Sequence, residues 1–112
     1  LIERAEDGYL KSETEELIMS GRSLTRKYFY NDHGWIDRVE ITDNLGTSVK
    51  VHSYTYDEVG NLTRVEYRNG KELTREIQIL YTPNNLVEAY LDHDFQTHDI
   101  LITKFTYEFF TP

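Results

Sequence analysis

The chain has 112 residues and a net charge of −8, from 20 acidic and 12 basic side chains. The length suits one domain and leaves little for a second, so residues 1–112 are read as a single β-repeat domain or a piece of a longer repeat protein. The acidity argues against nucleic acid and anionic membrane surfaces, and the absence of cysteine removes disulfides, zinc thiolates and cysteine nucleophiles.

Nine Tyr, five Phe and one Trp, among many Thr, Val and Ile, favour strands over helices. No apolar run approaches the roughly 18 residues that a membrane helix needs. The chain starts at Leu1 rather than Met, which leaves room for a removed leader or lipid anchor.

In chain order, strands are predicted at about 9–18, 23–30, 35–43, 48–56, 61–68, 71–81, 85–92 and 99–109. The first of these competes with a helix, because Ser12-Glu-Thr-Glu15 resembles a capping box. The repeat phase places it on a strand. Tyr30, Tyr56, Tyr81 and Tyr107 recur every 25 to 26 residues, each before a turn. Gly8-Tyr9-Leu10, Gly34-Trp35-Ile36 and Gly60-Asn61-Leu62 share one phase. The turn after Tyr81 reads as one residue shorter, with Asn85 taking the positive-φ place of glycine and Leu86 the place of Leu10, Ile36 and Leu62.

A second turn falls midway through each unit, at Ser20-Gly21, Asn44-Leu45-Gly46, Asn69-Gly70 and the longer Asp92–Asp99 segment. Asn69-Gly70 is the strongest hairpin signal. Short turns make consecutive strands antiparallel neighbours. The predicted fold is all-β: an antiparallel up-and-down meander of about eight strands from four hairpin repeats, either a closed or partly open barrel or a twisted sheet. Closure or stacking would deal with two open edges, of which the aromatic last strand is the more exposed to aggregation.

Tyr56-Asp57-Glu-Val-Gly60-Asn61-Leu62-Thr-Arg64-Val65 resembles the YD (RHS) repeat family, and Tyr30-Asn31-Asp-His-Gly34-Trp35-Ile36-Asp-Arg38-Val39 is a near match. The other units are degenerate. The resemblance implies an exported or cell-surface bacterial protein, secreted or periplasmic. Long arrays of the family form a coiled β-shell that encloses a toxin or mediates adhesion. Short arrays resemble β-rich lipoproteins of Bacteroidetes type. Four units do not build a shell.

Candidate chemistry is sparse. Asp57-Glu58 and Asn31-Asp32 are read as Asx turns rather than calcium or acid–base sites. Asp92-His93-Asp94 with His98-Asp99 matches no familiar metal spacing and is read as a solvated loop. His33 and His52 are isolated, and no serine has a nucleophile-elbow context. No catalytic residue, cofactor or metal is therefore predicted. Tyr28, Tyr30, Trp35, Tyr54, Tyr56, Tyr81, Phe105 and Tyr107 are the candidate ligand or partner contacts, because aromatics offer flat apolar surface with a polar tip. Packing across strands is the competing role for the same side chains. The function expected is a non-enzymatic binding or scaffold module presenting a sheet surface to a protein or a cell-surface glycan, with self-association through edge strands open to it. The alternative is a small β-barrel carrier of an apolar ligand.

Overall fold

The computed structural model describes residues 2–4, 10–17, 22–44 and 49–108. Nine strands pair in chain order in one antiparallel sheet: β1 (Ile2–Arg4), β2 (Leu10–Leu17), β3 (Arg22–Tyr30), β4 (Ile36–Asp43), β5 (Val49–Tyr56), β6 (Leu62–Asn69), β7 (Glu72–Tyr81), β8 (Val87–Asp94) and β9 (Asp99–Lys104). The meander is as predicted, with β1 added at its start. The capping-box segment is strand β2, so the repeat phase overrides local helix propensity. The last strand ends at Lys104 rather than 109. The turns read at Gly8-Tyr9, Ser20-Gly21 and Leu45-Gly46, and Phe109, lie outside the described residues.

The sheet stays open. β1 pairs only with β2 and β9 only with β8. The radius of gyration is 17.6 Å, against ~13 Å for a compact chain of this length. The closed-barrel option is thereby corrected, and the carrier reading loses the enclosed interior it requires. Physically, among the described residues every strand contacts only its sequence neighbours, and none joins β9 back to β1.

A single sheet has little interior. Among the described residues only Val39, Val65 and Ala89 are buried, each 5–6% exposed. Stability must come mainly from ladders and cross-strand side-chain pairs. Register assigns two faces. Tyr28, Val39, His52, Tyr54, Val65, Tyr67, Arg75, Ile77 and Tyr90 share one, the tyrosine face. Phe29, Arg38, Glu40, Arg64, Glu66, Glu76 and Gln78 share the other, the charged face. There Arg38–Glu40 at 3.7 Å, Arg64–Glu76 at 3.3 Å and Arg68–Glu66 at 3.1 Å form ion pairs. Arg38 also lies 4.1 Å over the Phe29 ring, a cation–π contact.

The repeat is visible in the turns. Tyr30 pairs with Ile36, Tyr56 with Leu62 and Tyr81 with Val87, each next to a bulge in the following strand. Asn31, Asp57 and Thr82 hold the three turns. The Asn31 Oδ1 accepts from the His33 and Trp35 amides at 2.9 and 3.1 Å. The Asp57 Oδ1 accepts from Val59 and Asn61 at 3.0 and 2.9 Å. The Thr82 Oγ1 accepts from Leu86 at 3.2 Å. Positive φ falls at Gly34, Gly60 and Asn85, so the predicted role of Asn85 holds.

The turn after Tyr81 is not shorter. Val87, not Leu86, corresponds to Ile36 and Leu62. The missing residue lies in the β6–β7 hairpin instead. Asn69 pairs with Glu72, and the two-residue loop is Gly70-Lys71 rather than Asn69-Gly70. Gly70 supplies positive φ at the first loop position, which matches a type II′ turn and the right-handed strand twist.

Each bulge cuts a ladder short. The β4–β5 pairs begin at Arg38↔Ser53, so Ile36 lies beyond them. The Tyr56 hydroxyl donates to the Ile36 carbonyl at 2.7 Å. Tyr81 donates to Leu62 at 2.6 Å and Tyr107 to Val87 at 2.6 Å. Each anchor tyrosine thus ties its turn to the preceding hairpin. Neighbouring turns also touch directly. A Cβ on Gly60 would meet the Trp35 ring at 3.0 Å, and the Asn61 amide donates to Asn85 at 3.1 Å.

Two substitutions test this stitching by urea unfolding. Tyr81→Phe removes one hydrogen bond and should cost about 0.5–1.5 kcal/mol. Gly60→Ala meets both positive φ and Trp35, and should cost about 1–3 kcal/mol. A neutral Tyr81→Phe would show that the hydroxyl carries no net stability.

Candidate functional site

The tyrosine face gathers most of the aromatic candidates. Tyr28, Tyr54 and Tyr67 follow one another across β3, β5 and β6, separated by Val39 and His52. Trp35, in the turn, lies 5.2 Å from Tyr56 and stacks on His33 at 4.6 Å. Phe105 reaches Tyr90 at 5.9 Å. Tyr28, Tyr30, Tyr54 and Tyr56 are half-buried, as is Tyr81, whereas Phe105 and Tyr107 are exposed.

Their chemistry divides into two roles. Tyr56, Tyr81 and Tyr107 spend their hydroxyl protons on backbone carbonyls, so they are structural at the oxygen and present only ring surface. Burial raises the Tyr56 and Tyr81 hydroxyls above their ordinary pKa, with smaller contributions from Asp37 and Asp57. They therefore remain donors at neutral pH. Tyr54 is raised first by burial, then by Tyr67, Tyr56 and Tyr28 around it.

On this face a cleft of about 370 Å³ lies towards the Gly70-Lys71 hairpin. Register builds its floor. Lys50 stands opposite Asn69, and His52, Tyr67, Arg75 and Asp94 follow across four strands as successive partners. His52 meets Tyr67 edge-on with centroids 4.6 Å apart. Arg75 lies 5.5 Å over the Tyr67 ring and forms a two-point ion pair with Asp92, its Nε donating to Oδ1 at 2.7 Å. An extra residue in β7, Thr74, closes one end. Its hydroxyl donates to the Tyr67 carbonyl at 3.1 Å, and its carbonyl accepts from the Phe95 amide at 2.9 Å. Bulges of this kind re-aim neighbouring side chains.

The cleft residues were not among the aromatic candidates. Tyr67 falls off the repeat anchors, and His52 reads as isolated because Tyr67 is its neighbour only across a hairpin. The signal that finds them is register: a turn centred on Val59-Gly60 pairs 52 with 67. The acidic segment divides between faces as alternation dictates. Asp92 and Asp94 share the tyrosine face with Arg75, while His93 points the other way and stacks on Phe95 at 4.0 Å. His98 has φ 65° and serves the β8–β9 turn, where the Asp94 Oδ1 accepts from Gln96 at 2.9 Å. Among the described residues no three His or carboxylate groups gather to hold a metal ion.

Three groups with lowered pKa link the fold to acid pH. Hydrogen bonding and charge from Arg75 hold the Asp92 carboxyl below the ordinary range. At Asp57 desolvation pulls upward, but amides of Asn61, Val59 and Gly60 outweigh it and leave the carboxyl lowered. For a lowered carboxylate, stability is present above the unfolded pKa of ~4 and lost as pH falls through the folded value. Burial, then Lys50, lowers His52. A lowered histidine binds its proton more readily when unfolded, so stability erodes as pH falls below ~6.5. Unfolding midpoints from pH 8 to 3 should therefore show two falling limbs. His52→Gln should flatten the upper limb. Arg75→Gln should reduce the lower one by the ~0.2–1 kcal/mol of an exposed pair. Asp57→Asn should keep its turn, as Asn31 does, and also reduce the lower limb. An unchanged profile in all three would contradict these assignments.

No helix among the described residues is long and apolar enough to cross a membrane. A search of curated proteins finds no match. The RHS Repeat family model matches residues 30–72, from the last residue of β3 to the first of β7. That stretch, 43 of the 112 residues, contains two bulged turns, the first hydroxyl tie and the two-residue hairpin, and it is similar to an RHS (YD) repeat.

Proposed function

We propose that this chain is a non-enzymatic scaffold module of an exported or cell-surface protein that binds protein by strand addition at β9. The single observation that carries the reading is the character of that strand. Ile100, Leu101 and Ile102 are 59%, 60% and 55% exposed. Register sends Ile100 and Ile102 to the charged face and Leu101 to the tyrosine face. A lone edge strand with apolar side chains on both faces is what soluble sheets normally avoid, and charge, proline or bulges usually guard it. Only its ends, Asp99 and Lys104, carry charge.

An incoming strand would satisfy the free backbone groups of β9 and cover these side chains from both sides. Main-chain bonds would supply affinity and the alternating side chains specificity. RHS repeats are typical of extracellular or cell-surface proteins, which supports the location proposed. Gly34, Gly60 and Gly70, the Asp57 carboxylate and the Tyr56, Tyr81 and Tyr107 hydroxyls all serve turns or backbone ties, which supports a non-catalytic role.

A second copy of the chain is the simplest strand donor for a test. Sedimentation velocity over a concentration series should show reversible self-association. The double variant Leu101→Lys/Ile102→Lys should remain monomeric with an unchanged circular dichroism spectrum. A wild-type chain that is monomeric throughout the series would overturn the reading.

A further inference from the structure

The two faces of the β9 edge differ in chemistry, and we propose that the strand added there is a basic one, a protein segment that alternates lysine or arginine with aliphatic residues. This rests on the strand addition proposed above and specifies its partner. Side chains of an added strand alternate between the two faces, whichever way the strand runs. Beside β9 each face carries a concavity. On the tyrosine face it measures about 240 Å³ and is lined by Arg75, Asp92, Asp94, Thr97, Asp99 and Leu101. On the charged face it measures about 200 Å³ and is lined by Glu76, Gln78, Leu91, His93 and Ile100.

Register explains the contrast. Asp99 pairs with Asp94 and Leu101 with Asp92, so three carboxylates and one aliphatic side chain converge at the edge of the tyrosine face. Arg75 is the cation among them, and it is spent on Asp92. Asp94 accepts from the Gln96 and Thr97 amides at 2.9 and 3.2 Å, which leaves its charge unopposed. Asp99 is exposed and makes no ion pair with the described residues. Leu101, 60% exposed, forms a shelf beside it. Lysine and arginine fit such a slot, because their stems lie along apolar surface while their heads stay with carboxylates and water. A side chain opposite Leu101 on an added strand starts ~4.5–5.5 Å away, with Asp99 on the diagonal within reach of a long side chain. An acidic residue at that place meets like charge.

The charged face asks for the opposite there. Ile100 pairs with His93 and Ile102 with Leu91. Glu76 is matched by Arg64 at 3.3 Å, and His93 is stacked on Phe95. The surface left for an added strand is therefore aliphatic. Lys104 lies beyond Ile102 on this face and does not offset the slot. A second copy does not supply the cation either. In a two-fold pairing of β9 with itself the faces run on across the junction, so the copy's Lys104 stays on the charged face.

The test is fluorescence anisotropy on the full chain at low salt with short labelled peptides. One alternates valine and lysine, one alternates valine and glutamate, one is the lysine peptide N-methylated at every peptide bond, and one has the sequence of β9. The lysine peptide should bind saturably and at least about tenfold tighter than the glutamate peptide, a difference of ~1.4 kcal/mol. Added salt should narrow that gap. The N-methylated peptide should not bind, since it cannot form the ladder. The whole chain is acidic and attracts any cation, so Asp99→Lys separates the slot from that background. It leaves two carboxylates against two cations, and should abolish the preference with an unchanged circular dichroism spectrum. Equal binding of the lysine and glutamate peptides, a preference that survives Asp99→Lys, or a β9 peptide that binds as tightly as the lysine peptide would each overturn the basic partner and leave strand addition standing. Full binding by the N-methylated peptide, or binding by none of the four, would overturn strand addition as well.

Discussion

The hydroxyl-to-carbonyl bond of the anchor tyrosines is the interaction on which the rest of the sheet depends. A bulge next to each turn bends the chain and leaves a strand-end carbonyl beyond the next ladder. Ile36, Leu62 and Val87 occupy that position, and Tyr56, Tyr81 and Tyr107 answer it from the adjoining hairpin. The bond joins units rather than closing one. It explains why the spacing of the tyrosines survives at 25 to 26 residues while the turn sequence between Tyr81 and Val87 drifts.

With so few buried side chains, ring surface takes the place of a second layer. The tyrosines cover their strand neighbours with flat area, keep a polar end for the backbone, and lose little conformational freedom in doing so. The charged face works differently. Its Arg–Glu pairs are exposed and individually weak, but they keep that surface soluble without a hydrophobic cover. The sheet is thus asymmetric: one face is built for contact and the other for water, until the apolar end at β8 and β9.

Much of this was legible in the chain. The tyrosine period, the turn residues and Asn85 led to the meander, and strand limits fell within two residues for most elements. Openness was not legible. Strand count and alternation are the same for a barrel and a sheet, and closure depends on how bulges and twist accumulate. The position of the one-residue deletion was hidden for a related reason. Leu86 and Val87 are both aliphatic, and only the pairing of Tyr81 distinguishes them. The cleft was least legible, since His52 and Tyr67 lie outside the repeated positions and become neighbours only after the hairpin closes.

The purely sequential pairing of the strands also has a mechanical meaning. β1 and β9 lie on opposite edges, with no strand among the described residues bridging back between them. Tension applied between those edges loads one ladder at a time, and within each ladder it peels bonds in succession rather than shearing them together. The sheet would pay out chain hairpin by hairpin under modest force and re-form from whichever hairpin remains, as nearest-neighbour arrays do. A module made this way would yield under pull without losing the whole of its fold.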